Sequence, residues 1–207
     1  VSLQSQVYTP HWVVKFLVDN TLVKQYLEMY PSSPLREKYQ VANAPAPSPF
    51  PVAGVTAKKM EDMRLIDPAC GSGNFLLYAC EVFYELYQDQ VENFGANYSH
   101  RDIPKLILEN NLYGVDLDER AAQLTQLSLY IKAWQLVGRR MNFPQHLNVV
   151  ATAFTLPDFE QIEMALMLGN EWKGAEMDTL KMVWKDLQSA YKFGSLIRVE
   201  ETFDRLL

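Results

Sequence analysis

Residues 67–73 read Asp-Pro-Ala-Cys-Gly-Ser-Gly and follow the stretch Met63-Arg64-Leu65-Ile66. The pattern predicts a short buried strand ending at Asp67, a glycine-rich turn, and a long helix from about Asn74 through Tyr87. Strand, glycine turn and helix is how an open α/β sheet builds a nucleotide site at the carboxyl ends of its strands. Gly71 and Gly73 let the backbone turn sharply and let a ligand lie against it. Asp67 places a carboxylate at the strand tip. A phosphate-binding loop needs a Lys after its last glycine, where Asn74 and Phe75 stand. A dinucleotide fingerprint needs a third glycine, where Leu76 stands. An acid at the head of the loop suits a cation better than a pyrophosphate. An ordinary tight strand-to-helix turn is the plain alternative.

The elements that must hold this loop follow from the periodicity. Thr9 reads as an N-cap with Pro10 at the first helical position. The helix carries a stripe of Trp12, Val13, Phe16, Leu17, Thr21, Leu22 and Leu27 at helical spacing, and stops before Pro31. Residues 31–62 form a connector that holds six of the eleven prolines, with one short helix around Leu35–Gln40. After residue 62 the order is strand, helix, strand, helix, strand, helix. A short helix is expected from Ile103 to Glu109, a second strand through Leu112–Asp116, and a helix from Glu119 that Gly138 ends. A third strand is expected at Leu147–Val150, with later helices from Pro157 and over 175–193. This alternation implies an α/β fold, a parallel sheet with helices on both faces, preceded by an N-terminal helix. In such a sheet the second strand ends in an acid that reads ribose hydroxyls. Asp116 stands there, 49 positions after Asp67. Alternatively Asp116 and Asp118 cap the helix at Glu119; Asp118 is read as such a cap.

Composition bounds the partners. The chain has 207 residues and a net charge of −6. Proteins that grip DNA carry a basic footprint, and here there are only the pairs Lys58-Lys59 and Arg139-Arg140. The two cysteines, Cys70 and Cys80, are expected to be reduced thiols of a cytoplasmic protein. His11, His100 and His146 lack ligand spacing, so no metal site is expected. No apolar run is long enough to span a membrane.

S-adenosylmethionine carries a cationic sulfonium and an ammonium and has no phosphate, so it suits a loop headed by an acid. The seven letters of 67–73 resemble motif I of the N6-adenine DNA methyltransferases. Asp116 matches the acid of their motif II, with Leu117 flanking the adenine ring. Gln6-Val7-Tyr8-Thr9-Pro10 resembles motif X, which lies beside the methionine end of the cofactor. With Asn111-Leu112-Tyr113-Gly114-Val115-Asp116-Leu117-Asp118 and Phe193-Gly194-Ser195-Leu196-Ile197, the likeness is to large single-chain methylases: the type IIG restriction-methylation fusions and the Pgl/BREX enzymes. The resemblance implies a partial Rossmann-like methyltransferase fold. Residues 1–30 would be a helical segment with motif X, 31–62 the connector, and 63–207 the cofactor-binding half. It implies S-adenosylmethionine held by Tyr8, Thr9, Asp67, Pro68, Ala69, Cys70, Gly71, Ser72, Gly73, Asp116, Leu117, Thr152 and Phe154.

Two departures qualify it. The family's third strand ends in an acid for the adenine amino group, whereas this chain has Ala151-Thr152-Ala153-Phe154. Thr152 is expected to accept a weaker hydrogen bond, and Phe154 to pack on the adenine. The family's catalytic tetrad, (Asn/Asp/Ser)-Pro-Pro-(Tyr/Phe), is absent, for the chain has no Pro-Pro pair. No catalytic residue is therefore assigned. The expected protein is a fragment of a DNA adenine-N6 methyltransferase of a restriction or phage-defence system, gripping double-stranded DNA through parts outside this chain. A methyltransferase of the same fold acting on RNA or protein is one alternative. A non-catalytic cofactor-binding module of a defence complex is another.

Overall fold

The structure, a computed structural model, describes residues 9–138, 144–152, 159–160 and 180–185. The chain divides into two compact units, residues 1–152 and 153–207. The first opens with α1 (His11–Val18), a π-helical turn (Asp19–Val23), α2 (Lys24–Met29), α3 (Leu35–Lys38) and a 3-10 turn (Met60–Asp62). It continues with β1 (Leu65–Asp67), α4 (Asn74–Asn93), α5 (Ile103–Leu106), a second π turn (Ile107–Asn111), β2 (Leu112–Asp116), α6 (Glu119–Val137) and β3 (Asn148–Ala151).

The first helix starts one residue later than expected. Pro10 has φ −56° and ψ 142°, and its carbonyl accepts from the amides of Val13 and Val14 at 2.9 and 3.2 Å. Extended backbone with the carbonyl already inside the helix defines the capping position. Thr9 therefore lies outside the helix, and no side chain caps this end. The expected apolar stripe holds at Leu22 and Leu27, which are buried, and is out of phase before the π turn. Val14, Val18, Leu22, Tyr26 and Met29 are buried, whereas Trp12 and Phe16 are 71% and 56% exposed. The π turn inserts a residue, so inward positions step by four through it. Its freed carbonyls are met locally: Asn20 Nδ2 donates to Phe16 O at 2.8 Å, and Thr21 Oγ1 donates to Leu17 O at 2.7 Å.

α4 is the centre of the unit. Leu76, Ala79, Cys80, Val82, Phe83, Leu86 and Tyr87 are wholly buried along it. Its far end is fastened to the first helices by a buried polar knot. Asp89 accepts from Tyr26 Oη at 2.5 Å, Ser33 Oγ at 2.7 Å and Asn93 Nδ2 at 2.7 Å, while Gln90 Nε2 donates to Tyr26 Oη at 2.8 Å. Burial raises the Tyr26 phenol far above its ordinary range, with Asp89 adding to the effect. The proline-rich connector follows this helical layer. Asn20 Oδ1 accepts from Ala42 N at 2.7 Å, Arg36 donates to the carbonyls of Pro31 and Pro45, and Val52 N donates to Glu28 O at 2.9 Å.

The three strands are parallel in the order β1-β2-β3, with Asp67 opposite Gly114 and Asp116 opposite Ala151. Leu112, Gly114 and Val149 point towards α4 and α6 and are buried. Ile66 and Val150 are one residue out of phase, and they are 64% and 52% exposed. The result is a three-stranded parallel sheet with helices packed around it, a partial Rossmann-like fold. Gly138, at φ 66°, ends α6 as expected. In the second unit, Phe159 lies edge-on to Trp184 at 6.1 Å and Val183 is buried. The helix expected over 175–193 is described only at residues 180–185, which are helical. No helix among the described residues is long and apolar enough to cross a membrane.

Candidate functional site

The loop after β1 folds back over the tip of β2. Cys70 N donates to Val115 O at 2.9 Å, and Gly71 N donates to the Asp116 carboxylate at 2.7 Å. The segment around Asp67 and the Asp116 strand tip are thus bonded to each other across 45 positions of sequence. Gly71 and Gly73 both sit in the left-handed region, at φ 53° and 90°. They serve different ends. A Cβ on Gly73 would lie 3.0 Å from both Cγ2 and Oγ1 of Thr125, whereas one on Gly71 would meet nothing within 4 Å. Gly73 allows α6 to press on the loop; Gly71 leaves its outer side open. Gly114 plays a third part. A Cβ there would lie 2.8 Å from Leu76 Cδ1 and 3.3 Å from Cys70 Sγ, so this glycine lets α4 close on the sheet.

The two carboxylates differ in their partners. Asp116 accepts from Gly71 N on one oxygen and from Asp118 N, at 2.8 Å, on the other. An ionised carboxylate offers about four acceptor directions, so half of its capacity remains. Asp118 caps α6 by accepting from Arg120 N at 2.9 Å. Asp67 accepts from Ala69 N at 3.1 Å through Oδ1, but its buried Oδ2 has no hydrogen-bond partner. Burial raises the Asp67 pKa above its ordinary value; the Asp116 charge adds to this and the Ala69 amide opposes it. A buried acceptor without a donor is a rare state and needs an explanation. A cation or a donor group from outside the described residues would satisfy it.

Pro68, Ala69, Leu117 and Thr152 are exposed and Ser72 is half-buried. Thr152 sits beside Asp116, donating to its carbonyl through the amide at 2.8 Å and the hydroxyl at 3.3 Å. Cys70 is buried with its sulfur towards Gly114; burial pushes its thiol pKa up, and Thr125 pulls the other way. Thr9 shares a pocket of about 220 Å³ with His11 and Val14 and with Asn74, Leu77, Tyr78 and Glu81 of α4. That brings Thr9 against the first turns of the helix that follows the loop. Tyr8 and Phe154 lie outside the described residues. Thr125 and Gly114 escaped the sequence reading. Thr125 sits mid-helix among apolar residues, and only the fold shows that it faces the loop.

A glycine loop at the carboxyl edge of a parallel sheet, tied to an acid on the next strand, defines the class: a methyltransferase-type α/β domain. Residues 54–194 match the family described as MmeI, DNA-methyltransferase domain, and the chain belongs to that family. It is 36% identical over 164 residues to the adenine-specific methyltransferase BrxX of Escherichia coli O9:H4, covering 76% of this chain and 13% of that protein. It is 32% identical over 169 residues to the adenine-specific methyltransferase PglX of Lacticaseibacillus casei, covering 75% of this chain and 14% of that protein. A putative type II restriction enzyme and methyltransferase of Methanocaldococcus jannaschii is 37% identical over 76 residues, 35% of this chain and 6% of that protein. The chain thus spans about one seventh of the length of the first two relatives.

Proposed function

We propose that this chain is the cofactor-holding part of an adenine-N6 DNA methyltransferase of a restriction or phage-defence system, and that its ligand is S-adenosylmethionine. The observation that carries this is the partnerless buried oxygen of Asp67, beside Asp116 and the Gly71-Gly73 loop. The residues fit the cofactor. Asp116 has acceptor capacity for the ribose hydroxyls, Leu117 is 63% exposed beside it for the adenine, and Thr9, in the pocket beside Asn74, is the residue proposed for the methionine end. Bound there, the cofactor supplies an electrophilic methyl group. The chain's own part is to hold and orient, which in reactions between two bound partners is a large share of the rate.

Thr152 and Phe154 remain the residues proposed for the edge of the adenine. The chain has no Pro-Pro pair, so the tetrad that would receive the flipped base is not among its residues. With a net charge of −6, it is assigned no DNA grip of its own. Titration calorimetry with S-adenosylmethionine and S-adenosylhomocysteine tests the reading. Saturable binding is expected. No heat and no thermal shift at millimolar ligand would remove the proposal.

A further inference from the structure

We propose that Thr125 is a positioning residue that holds the cofactor loop in its binding shape before any ligand arrives; this rests on the cofactor reading above and deepens it. Thr125 lies on the second turn of α6 and is wholly buried. Its hydroxyl donates to the Gly71 carbonyl at 2.8 Å. The Gly71 amide is held from the other side by Asp116 at 2.7 Å. Both peptide groups of this residue are therefore fixed, one by the helix and one by the strand tip. Thr125 Cγ2 also fills the space over Gly73, where a Cβ would come within 3.0 Å of it.

The loop's own bond, from Gly73 N to the Cys70 carbonyl at 2.7 Å, closes the turn but leaves both Gly71 peptide groups to be held from outside. A glycine populates left-handed and right-handed backbone about equally. Nothing surrounds Gly71 on its Cβ side within 4 Å. Its φ of 53° is thus not imposed by crowding; the 70–73 turn bond and the hydrogen bonds at the two ends of Gly71 hold it together. Because α6 begins directly after β2, Thr125 and Asp116 belong to one continuous segment, residues 112–137. That segment grips the Gly71 peptide twice. A loop fixed beforehand spends less binding free energy on ordering itself. The carboxylate and loop proposed to face the ribose are thereby set as one unit.

The test uses the whole chain with Thr125→Val, which keeps the shape and removes the hydroxyl, and Thr125→Ser, which keeps the hydroxyl. Thr125→Ala is the second hydroxyl-free variant should Val fail to fold. Amide hydrogen exchange is measured first without ligand. Residues 70–73 are expected to exchange faster in the Val and Ala chains and at the wild-type rate in the Ser chain, with α4 unchanged. S-adenosylhomocysteine affinity is then measured by calorimetry at a temperature where every variant is folded. Loss of one neutral hydrogen bond predicts a 3- to 10-fold weakening in Val and Ala, roughly that bond's ordinary worth, with recovery in Ser. Unchanged exchange at 70–73 in the Val and Ala chains overturns the proposal whether or not ligand binds. So does wild-type affinity in both. A wild-type chain that binds nothing, yet shows the exchange pattern, removes the cofactor reading and leaves the clamp.

Discussion

Replacing Gly73 with Ala should unfold the domain more readily, and the size of the effect can be worked from the geometry. An L residue at a left-handed φ such as 90° costs roughly 1–2 kcal/mol. The new Cβ would also stand 3.0 Å from two side-chain atoms of Thr125, which is wholly buried. Overpacking of that kind costs about 1–3 kcal/mol. Together these give roughly 2–5 kcal/mol. For a chain of this size each kcal/mol lowers Tm by about 2–4 °C, so a fall on the order of 5–15 °C is expected. Gly71→Ala is the control. It pays the left-handed term alone, because its Cβ meets nothing within 4 Å, and its Tm should fall by only about 2–8 °C. Binding should show the opposite order. The open side of Gly71 is where the proposed ligand would lie against the loop, so Gly71→Ala should weaken S-adenosylhomocysteine more than Gly73→Ala does at a temperature where both are folded. Thermal unfolding and calorimetry on the two variants decide it. A Gly73→Ala chain as stable as Gly71→Ala would refute the placement of Thr125 against the loop.

Asp116→Ala removes acceptors from both Gly71 N and Asp118 N, so it should lower Tm and also weaken the cofactor by about 1–3 kcal/mol, roughly 5- to 150-fold. Asp118→Ala should cost about 1 kcal/mol of stability as a lost cap and leave affinity unchanged; a larger loss of affinity there than in Asp116→Ala would be the refuting result. Asp67, with its pKa raised by burial, stabilises the unliganded fold below its unfolded pKa, and that contribution is lost as pH rises through the folded value. A cationic ligand prefers the ionised form, so affinity should rise over the same interval; a calorimetric pH series that is flat, or unchanged by Asp67→Asn, contradicts this. Asp89→Ala strips the shared acceptor from Tyr26, Ser33 and Asn93 and should cost roughly 2–4 kcal/mol in denaturant unfolding, with binding kept.

The strands, the loop and the starts of α4 and α6 were legible because each carries a local signal. Asp67 and Asp116 end apolar runs, Gly71 and Gly73 mark a turn that only glycine makes easily, and Gly138 marks a helix end. The N-terminal helix was legible as a helix but not in phase. Trp12 and Phe16 look like core residues by type, and nothing in a 3.6-residue period announces the π turn that puts Val14 and Val18 inside instead. Thr9 looked like a cap because Thr-Pro is a common helix start. The Pro10 ψ of 142° decides otherwise, and that angle is set by tertiary placement. The partner of Gly73 was illegible for a different reason. Thr125 is 52 positions away, and its role exists only once α6 lies beside the loop.

Parallel pairing has a consequence for how the site comes and goes. Leu65 pairs with Leu112, and Gly71 meets Asp116 and Thr125 across 45 and 54 positions. The hydrogen bonds that join Gly71 to β2 and α6 are long in sequence. Closing such contacts costs chain entropy before it returns anything, which makes them late events in folding. Between β1 and β2 lies α4, whose buried side chains form the centre of the first unit. The loop therefore cannot take shape on a half-formed domain. On heating, the capacity to bind should disappear in the same cooperative transition as the core, with no temperature at which one persists without the other.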